Sequence, residues 1–387
     1  MLGLVFLALL SAIIYIYRKK LHIQKIIGPL LWFAMFKTKI GIKGMDSIAK
    51  KLNKPLKYIG YFAIFIGFVG MLLIAEELIR NIITLITKPG AVPGVGLVLP
   101  FEVKGAFFVP FFYWIISIFI LAIVHEFSHG IMARRYGVRI KSSGFAVLGV
   151  LVPILPAAFV EPDEKELQSK PLNQQLSVFA AGPFANIVTA FIMFGILGLI
   201  ATPIVNGLLN FNGVEITGFI EGDFPAKRAG MQEKEIIKEI DGVEISYLSN
   251  FTNALKNKKP GGRMLVTTDK SSYELELTKN PDNESMPYLG VYVQQSKEVK
   301  PGVIANYGKF LPGIALWFLG LFYWLYLLNL GIGLFNLVPI GPIDGGRMLK
   351  VTLQKFFKEK KADDIWKGVS VFFLSLVLIT LLISFIR

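Results

Sequence analysis

The chain has 387 residues, of which 53% are hydrophobic, and it carries a formal net charge of +14. So large an apolar fraction excludes an ordinary soluble enzyme and is typical of a membrane protein. Because the sequence has no cysteine, disulfide bonds, thiolate metal ligands and a cysteine nucleophile are excluded as well. Only three histidines are present, so histidine chemistry has few candidate positions.

Windows of about 20 apolar residues with few charges predict membrane-spanning helices, because a helix of that length crosses the hydrocarbon core of a bilayer. Basic residues follow the first window and do not precede it, which favours a retained helix over a signal peptide. We therefore expect a polytopic α-helical membrane protein with about six transmembrane helices. The windows are residues 1–17, 58–74, 107–133, 176–200, 311–338 and 368–386.

Three further apolar stretches contain glycine or proline and are too short or too broken to span: residues 26–36, 90–101 and 145–160. Non-helical backbone at membrane depth is tolerated where protein or a water-filled cavity satisfies its polar groups. We expect these stretches to be interfacial or re-entrant segments that border a site.

The distribution of charge predicts how the chain is oriented in the membrane. Three loops are basic: residues 18–57 hold 11 Lys or Arg and one acid, residues 134–170 hold six and four, and residues 347–367 hold seven and three. Cytoplasmic loops carry an excess of Lys and Arg, so we expect these loops to be cytoplasmic. Residues 205–300, with 12 basic and 14 acidic side chains, are then extracytoplasmic. We therefore interpret the net charge as a signal of membrane topology. The expected partner is the lipid bilayer, and no nucleic-acid partner is expected.

Residues 205–300 are of mixed polarity and long enough for one small inserted α+β domain. The pattern predicts short strands, a helix from Pro225 to Gly230, a turn at Asp241 and a second helix near residues 250–256. This order, together with the run Pro225-Ala-Lys-Arg-Ala-Gly-Met, resembles a PDZ domain of the bacterial-protease type. The resemblance implies that peptide tails bind by adding a strand to a sheet edge. A spacer without a ligand is the alternative.

The third window ends in the pattern His-Glu-x-x-His, with His125 and His129 four residues apart. On a helix this spacing puts both imidazoles on one face, about one turn apart, where they can hold one Zn²⁺. Glu126 lies beside them, as a general base for hydrolysis requires. Ionisable groups inside a span are costly without a partner or a cavity, so we expect a metal. A polar trio that hydrates itself at the cytoplasmic helix end is the alternative.

A third protein ligand would leave one coordination position open for water. Asp344 stands out because it follows the fifth window in a segment rich in proline and glycine. By the loop assignment it reaches the same side of the membrane as His125 and His129. The alternative is that Asp344-Gly345 forms only a turn. We expect the remaining histidine, His22, to be a solvated loop residue.

With these motifs the chain resembles the site-2 protease family of intramembrane metalloproteases over nearly its whole length. The resemblance implies Zn²⁺ held by His125, His129 and Asp344, with Glu126 as the catalytic base. The run Gly-Pro-Phe-Ala-Asn, which ends at Asn186, resembles the family's Gly-x-x-x-Asn element. Asn186 is therefore a candidate for contact with the substrate or its oxyanion, or for helix packing.

Two further assignments follow from the same resemblance. Asn336 begins the segment that resembles the family's element for the third ligand, and it is a second candidate for substrate or oxyanion contact. Residues 145–160 lie where the family has a membrane-associated β-hairpin or loop beside the substrate. The expected organisation is an N-terminal part with two helices, a core with the histidine motif, the PDZ-like insert, and a core with the aspartate motif. Their ranges are 1–106, 107–204, 205–300 and 301–387.

The expected function is hydrolysis of a peptide bond within or near the transmembrane segment of a membrane-protein substrate, in a multi-pass protein of the cell membrane. One alternative is a non-catalytic membrane scaffold with a peptide-binding PDZ-like domain and a structural metal site. A chain without cysteine is poorly supplied for such a site, which normally has four protein ligands. A metal transporter is a third possibility, but the second and sixth windows offer almost no polar residues for a path.

Overall fold

The computed structural model describes residues 2–19, 21–27, 31–88, 91, 93–150, 152–281 and 283–386. The chain divides into two compact units. The first comprises Met1–Gly198 and Leu319–Arg387, and the second comprises Leu199–Phe318. The second unit is wider than the predicted insert because it includes the end of one long helix and the start of another.

Helices dominate the first unit and are short within the second. They are α1 (Leu2–Tyr17), α2 (Ile42–Lys51), α3 (Asn53–Thr87), α4 (Phe111–Arg135), α5 (Glu164–Gln168), α6 (Leu172–Leu208), α7 (Pro225–Arg228), α8 (Leu248–Lys256), α9 (Pro301–Tyr307), α10 (Phe310–Phe335), α11 (Asp344–Phe356) and α12 (Glu359–Ile386).

Strands occur in both units. They are β1 (His22–Ile27), β2 (Leu31–Thr38), β3 (Leu97–Leu99), β4 (Ala106–Phe108), β5 (Ile140–Val150), β6 (Val152–Pro162), β7 (Leu209–Phe219), β8 (Ile236–Ile240), β9 (Val243–Glu244), β10 (Arg263–Thr268), β11 (Ser272–Glu276), β12 (Thr278–Asn280), β13 (Asn283–Tyr288) and β14 (Val291–Val299).

Among the described residues, five helices are long and apolar enough to cross a membrane: α3, α4, α6, α10 and α12. The chain is thus a multi-pass membrane protein by helix length and composition. These five helices correspond to five of the six predicted windows. The first window forms α1, which has 16 residues and is shorter than a typical span, so a sixth span stays a prediction.

Two of the interrupted apolar stretches form one antiparallel sheet, with the strand order β1-β2-β5-β6. Strand β2 pairs with β5 across more than 100 residues of sequence, with Phe36 opposite Phe145. We expected re-entrant or interfacial segments here; the described parts are two paired hairpins, and residues 28–30 and 151 lie outside them. Strand β6 is at the sheet edge, where its three prolines are tolerated because an edge strand leaves some N–H positions unpaired.

The third interrupted stretch, residues 90–101, contributes a short parallel pairing between β3 and β4. Its residues 90 and 92 lie outside the described part of the chain. The main hydrophobic core of the first unit draws side chains from α2, α3, α4, α6 and α11. Fully buried members include Ala63 on α3, Ala133 on α4 and Met348 on α11. This core joins the helix with the histidine motif to the helix with the aspartate motif.

The second unit has its own sheet, with the strand order β11-β10-β8-β7-β14 and β9 paired to β8. Its core consists of apolar side chains that include Val214, Ile237 and Val266. The two helices predicted from the sequence are present as α7 and α8. The predicted turn is present as well, with positive φ at Asp241 and Gly242, as a tight two-residue hairpin requires.

Candidate metal centre

Three donor atoms from two helices converge in the first unit. The Nε2 atoms of His125 and His129 lie 3.1 Å apart. Oδ2 of Asp344 lies 3.1 Å from the first and 3.3 Å from the second. The three side chains are only 10–12% exposed. Donor atoms at such spacing, shielded from water, form a cluster suited to a metal ion.

The local sequence explains why these side chains meet. On α4 the four-residue spacing places His125 and His129 on one face, as expected. Asp344 is the first residue of α11, where the helix dipole favours a carboxylate. Gly345 and Gly346 follow it, and a Cβ on either would lie within about 2 Å of a backbone oxygen, that of Leu337 or Ile340. Two glycines thus allow the start of α11 to pack against the preceding loop.

The donor triangle fits the dimensions of a zinc site. Ligand distances of about 2.0–2.1 Å in a tetrahedral site put any two ligand atoms about 3.3–3.4 Å apart. The observed separations of 3.1–3.3 Å are close to that value. Two imidazoles and one carboxylate also match the ligands of catalytic zinc sites, which have three protein ligands and one open position. The residues present therefore fit Zn²⁺.

Each histidine uses its other ring nitrogen for a contact to α6. Nδ1 of His129 lies 2.7 Å from the backbone carbonyl oxygen of Val178, and Nδ1 of His125 lies 3.1 Å from the side-chain amide of Asn186. Metal-binding histidines almost always have such an outer partner, which fixes the ring orientation and the tautomer. Asn186 was a candidate for substrate contact or helix packing; the structure places it against the ring of His125.

Glu126 is a residue of α4, and its side chain reaches the small sheet. Its Oε2 accepts a hydrogen bond of 2.9 Å from the backbone N–H of Val160 on the edge strand β6. Glu126 is thus the neighbour of His125 on α4, and its carboxylate is held by the sheet. This position suits a proton-transfer group next to an open coordination site.

Gly182, the first residue of the Gly-x-x-x-Asn element, is a site residue that the sequence analysis did not name as a candidate. A Cβ at this position of α6 would lie 2.3 Å from Nε2 of His129 and 2.7 Å from Nε2 of His125. Only glycine allows the α6 backbone to approach the donor atoms this closely. The available signals were its place at the start of that element and the Gly-Pro pair inside an apolar helix, since both residues disfavour a regular helix interior.

Two sequence candidates are placed elsewhere. The side-chain nitrogen of Asn336 donates to the carbonyl oxygen of Ile332 one turn earlier, and its own carbonyl accepts from the N–H of Gly345. Asn336 thus braces the link between α10 and α11, and its substrate role stays a prediction. His22 is an exposed residue of β1, apart from the donor cluster.

Comparison with known proteins identifies several relatives. The chain is 29% identical to the protein MJ0971 of Methanocaldococcus jannaschii over 85% of this chain and 80% of that protein. It is 23% identical to the regulator of sigma-W protease RasP of Bacillus subtilis, over 57% of this chain and 61% of RasP. It is 24% identical to the zinc metalloprotease RasP of Oceanobacillus iheyensis, over 50% and 56%. The chain therefore spans about three fifths of the RasP proteins.

Among solved structures, the chain matches the PDZ domain of the SdrC-like protein from Listeria monocytogenes, with 20% identity. The match covers 21% of this chain and 88% of that domain, with a TM-score of 0.20. The peptide-binding role of the insert thus stays a prediction.

The family model of peptidase family M50 matches residues 113–379, which include nearly all of α4 and the whole of α6 and α11. This chain belongs to peptidase family M50, the site-2 protease family of zinc metallopeptidases.

Proposed function

We propose that the chain is an intramembrane zinc metalloprotease, which hydrolyses a peptide bond within or near the transmembrane segment of membrane-protein substrates. The observation that carries this proposal is the convergence of donor atoms of His125, His129 and Asp344 at separations of 3.1–3.3 Å. Glu126 is next to His125 on α4. A buried cluster of this kind inside an apolar unit needs a compensating partner. Zn²⁺ held by these three side chains would be that partner.

The roles of the residues follow from their positions. Zinc in such a site supplies Lewis acidity, which activates water and polarises a carbonyl group. His125, His129 and Asp344 would hold the ion. Glu126 takes the proton from the attacking water and returns it to the leaving amine. The helix backbone at Gly182 covers one side of the donor pair and keeps bulk water from that side.

Substrate must be unwound before it can be cut, because a regular helix keeps its carbonyl groups in its own hydrogen bonds. The edge strand β6 offers a surface for the unwound segment. An extended peptide that adds to this edge gains main-chain hydrogen bonds and passes close to Glu126, which contacts the same strand at Val160. We therefore propose that the substrate binds as an added strand along β6.

The basic loops and the inserted domain determine the orientation in the membrane and the selection of substrates. We propose that the three basic loops lie in the cytoplasm and that the PDZ-like insert, residues 205–300, lies on the opposite side of the membrane. In that arrangement cleavage takes place near the cytoplasmic surface. The PDZ-like unit then selects substrates through peptide tails at a sheet edge.

The test is cleavage of a membrane-reporter fusion by the purified chain in detergent, together with bound zinc per protein. Glu126→Gln keeps the size of the side chain and removes the base, so we expect bound zinc to be retained and turnover to fall by at least about 100-fold. Glu359→Gln, an exposed site at the start of α12, is the matched control and should cleave normally. Unchanged turnover in Glu126→Gln, or no turnover in the parent chain, would leave a non-catalytic scaffold with a structural metal.

A further inference from the structure

The contact between Asn186 and His125 has an unusual feature. As the amide is oriented, its Nδ2 atom faces Nδ1 of His125 at 3.1 Å, and its Oδ1 atom is buried without a hydrogen-bond partner in the described structure. Asn186 is fully buried, with 0% of its surface exposed. Leaving a buried polar atom unpaired costs about 1–3 kcal/mol, so the orphaned oxygen calls for an explanation.

The chemistry of a metal-bound histidine supplies the explanation. If Nε2 of His125 binds the metal, the neutral ring carries its proton on Nδ1, which becomes a donor. A donor at Nδ1 needs an acceptor opposite, and the amide nitrogen of Asn186 cannot accept. The two ends of an asparagine amide are nearly equal in size, so a half-turn about its last torsion exchanges them at little steric cost.

We infer that Asn186 is the positioning residue of the metal centre and holds His125 through its carbonyl oxygen in the metal-bound state. The half-turn places Oδ1 against the Nδ1 proton of His125, and the amide nitrogen then occupies the end without a described protein partner. The bond fixes the tautomer that leaves Nε2 free for the metal and fixes the ring angle on α4. This inference rests on the proposed zinc site.

The two histidines then have matching partners on one helix. His129 is held by the backbone carbonyl of Val178 and His125 by the side-chain carbonyl of Asn186, eight residues later on α6. Gly182 lies midway between them and allows the close approach of the helix to both rings. Helix α6 therefore acts as the outer support of the metal site, and Asn186 acts as an acceptor.

The zinc affinity of the purified full chain in detergent shows whether Asn186 acts as a hydrogen-bond acceptor for His125 or as a donor to substrate. Asn186→Leu keeps similar volume and removes both polar atoms, and we expect zinc to bind about 10- to 100-fold more weakly, as measured by competition with a chromophoric chelator. Asn186→Asp presents an acceptor in either orientation, so it should bind zinc within about threefold of the parent chain. If Asn186 instead donates to substrate, Asn186→Asp should lose cleavage and Asn186→Leu should keep its zinc. That result would overturn the inference.

The chain offers a closely matched control in Asn329 on α10. It is also fully buried, its Oδ1 also lacks a partner, and its Nδ2 donates to the carbonyl of Leu325 on its own helix. Asn329→Leu should leave zinc affinity unchanged. Equal losses in Asn186→Leu and Asn329→Leu would mean general destabilisation and would refute a specific role for Asn186.

A second control keeps this inference separate from the proposed function. His125→Ala should lose zinc, and if it does not, the zinc site itself is wrong. If His125→Ala loses zinc and Asn186→Leu binds it like the parent chain, only the role of Asn186 is wrong. The visible absorption spectrum of the cobalt-loaded protein adds a readout without cleavage, because a changed ring orientation in Asn186→Leu should shift the bands.

Discussion

Gly182 of α6 lies so close to His129 of α4 that a Cβ on the glycine would come within 2.3 Å of the histidine's Nε2 atom. The same hypothetical atom would lie 2.7 Å from Nε2 of His125. Two residues that are 53 positions apart in sequence thus bring their helices together at the donor atoms. The approach makes the backbone of α6 part of the wall of the metal centre.

Replacement of Gly182 by alanine should therefore weaken metal binding. Both contacts fall well below the 3.0 Å that real Cβ atoms require, so α6 or the two imidazole rings must move. We expect bound zinc per protein to fall below half of its normal value and cleavage to fall with it.

Gly195→Ala is the matched control for this substitution. Gly195 lies on the same helix, and a Cβ there would meet nothing within 4 Å. The replacement should keep full zinc and should slightly favour the helix, since alanine has the higher propensity. Normal zinc content in Gly182→Ala would show that the α6 backbone is farther from the donor atoms than the structure indicates.

Asp344→Asn should reduce bound zinc because the amide keeps the shape of the carboxylate and removes its charge. Its two imidazole partners at 3.1 and 3.3 Å would remain in place, so a change in zinc reports the ligand itself. We expect affinity to fall by more than the 10- to 100-fold typical of losing an outer partner, measured by chelator competition.

The exposed residue Asp364 on α12 provides the same replacement away from the cluster. Asp364→Asn should bind zinc like the parent chain. Full zinc occupancy with full cleavage in Asp344→Asn would reject Asp344 as a ligand.

The sequence predicted the donor residues because their chemistry depends on residue type and local spacing. His125 and His129 are visible as a four-residue repeat, and Asp344 as an acid in a proline- and glycine-rich segment beside a span. A close helix approach at the Gly-x-x-x-Asn element could be expected, but that Gly182 faces the donor atoms and that the carbonyl of Val178 faces His129 were not predictable. Both depend on how α6 packs against α4, and a backbone carbonyl leaves no mark in the sequence.

The small sheet shows the same limit on a larger scale. Residues 26–36 and 145–160 were recognised as apolar stretches that could not span, but not as neighbours. Their pairing joins β2 to β5 across more than 100 residues of sequence. Strand pairing at that distance is fixed by side-chain packing and register, which local patterns do not encode.

The bond between Val160 and Glu126 predicts a change that affects cleavage and leaves zinc in place. The N–H of Val160 points away from β5 and donates to Oε2 of Glu126 at 2.9 Å. Val160→Pro removes this donor, and an edge strand tolerates proline at such a position. A hydrogen bond to a charged group contributes about 1.5–3 kcal/mol, so we expect cleavage to fall about 10- to 100-fold.

Val160→Ala separates the donor from the side chain. It keeps the N–H and removes only two methyl groups that pack near the core, so it should retain most of the activity of the parent chain. Zinc content should be normal in both variants. Equal activity in Val160→Pro and Val160→Ala would show that the strand does not hold the base.

Asp163 lies between β6 and α5, outside the spanning helices, and should make the stability of the fold depend on pH. Its carboxylate accepts hydrogen bonds from the side chain of Arg139 and from the backbone N–H groups of Lys165 and Glu166, and it lies 3.4 Å from Nζ of Lys141. The bond from Arg139, followed by that from Glu166, lowers the pKa of Asp163 from 3.8 to about 2. The lowered pKa means that folding favours the charged form.

The sign of the effect follows from this shift. Because the pKa of Asp163 is lower in the folded chain than in the unfolded one, its charge stabilises the fold above about pH 4, and this contribution is lost as the pH falls towards 2. Asp163→Asn keeps an N-cap for α5 and removes the charge. Its thermal midpoint in detergent should lie below that of the parent chain at pH 6, and the gap should close between pH 4 and 2. Asp163→Ala, which also loses the cap, should keep a residual gap at pH 2, whereas a gap in Asp163→Asn that does not change with pH would contradict the ion-pair account.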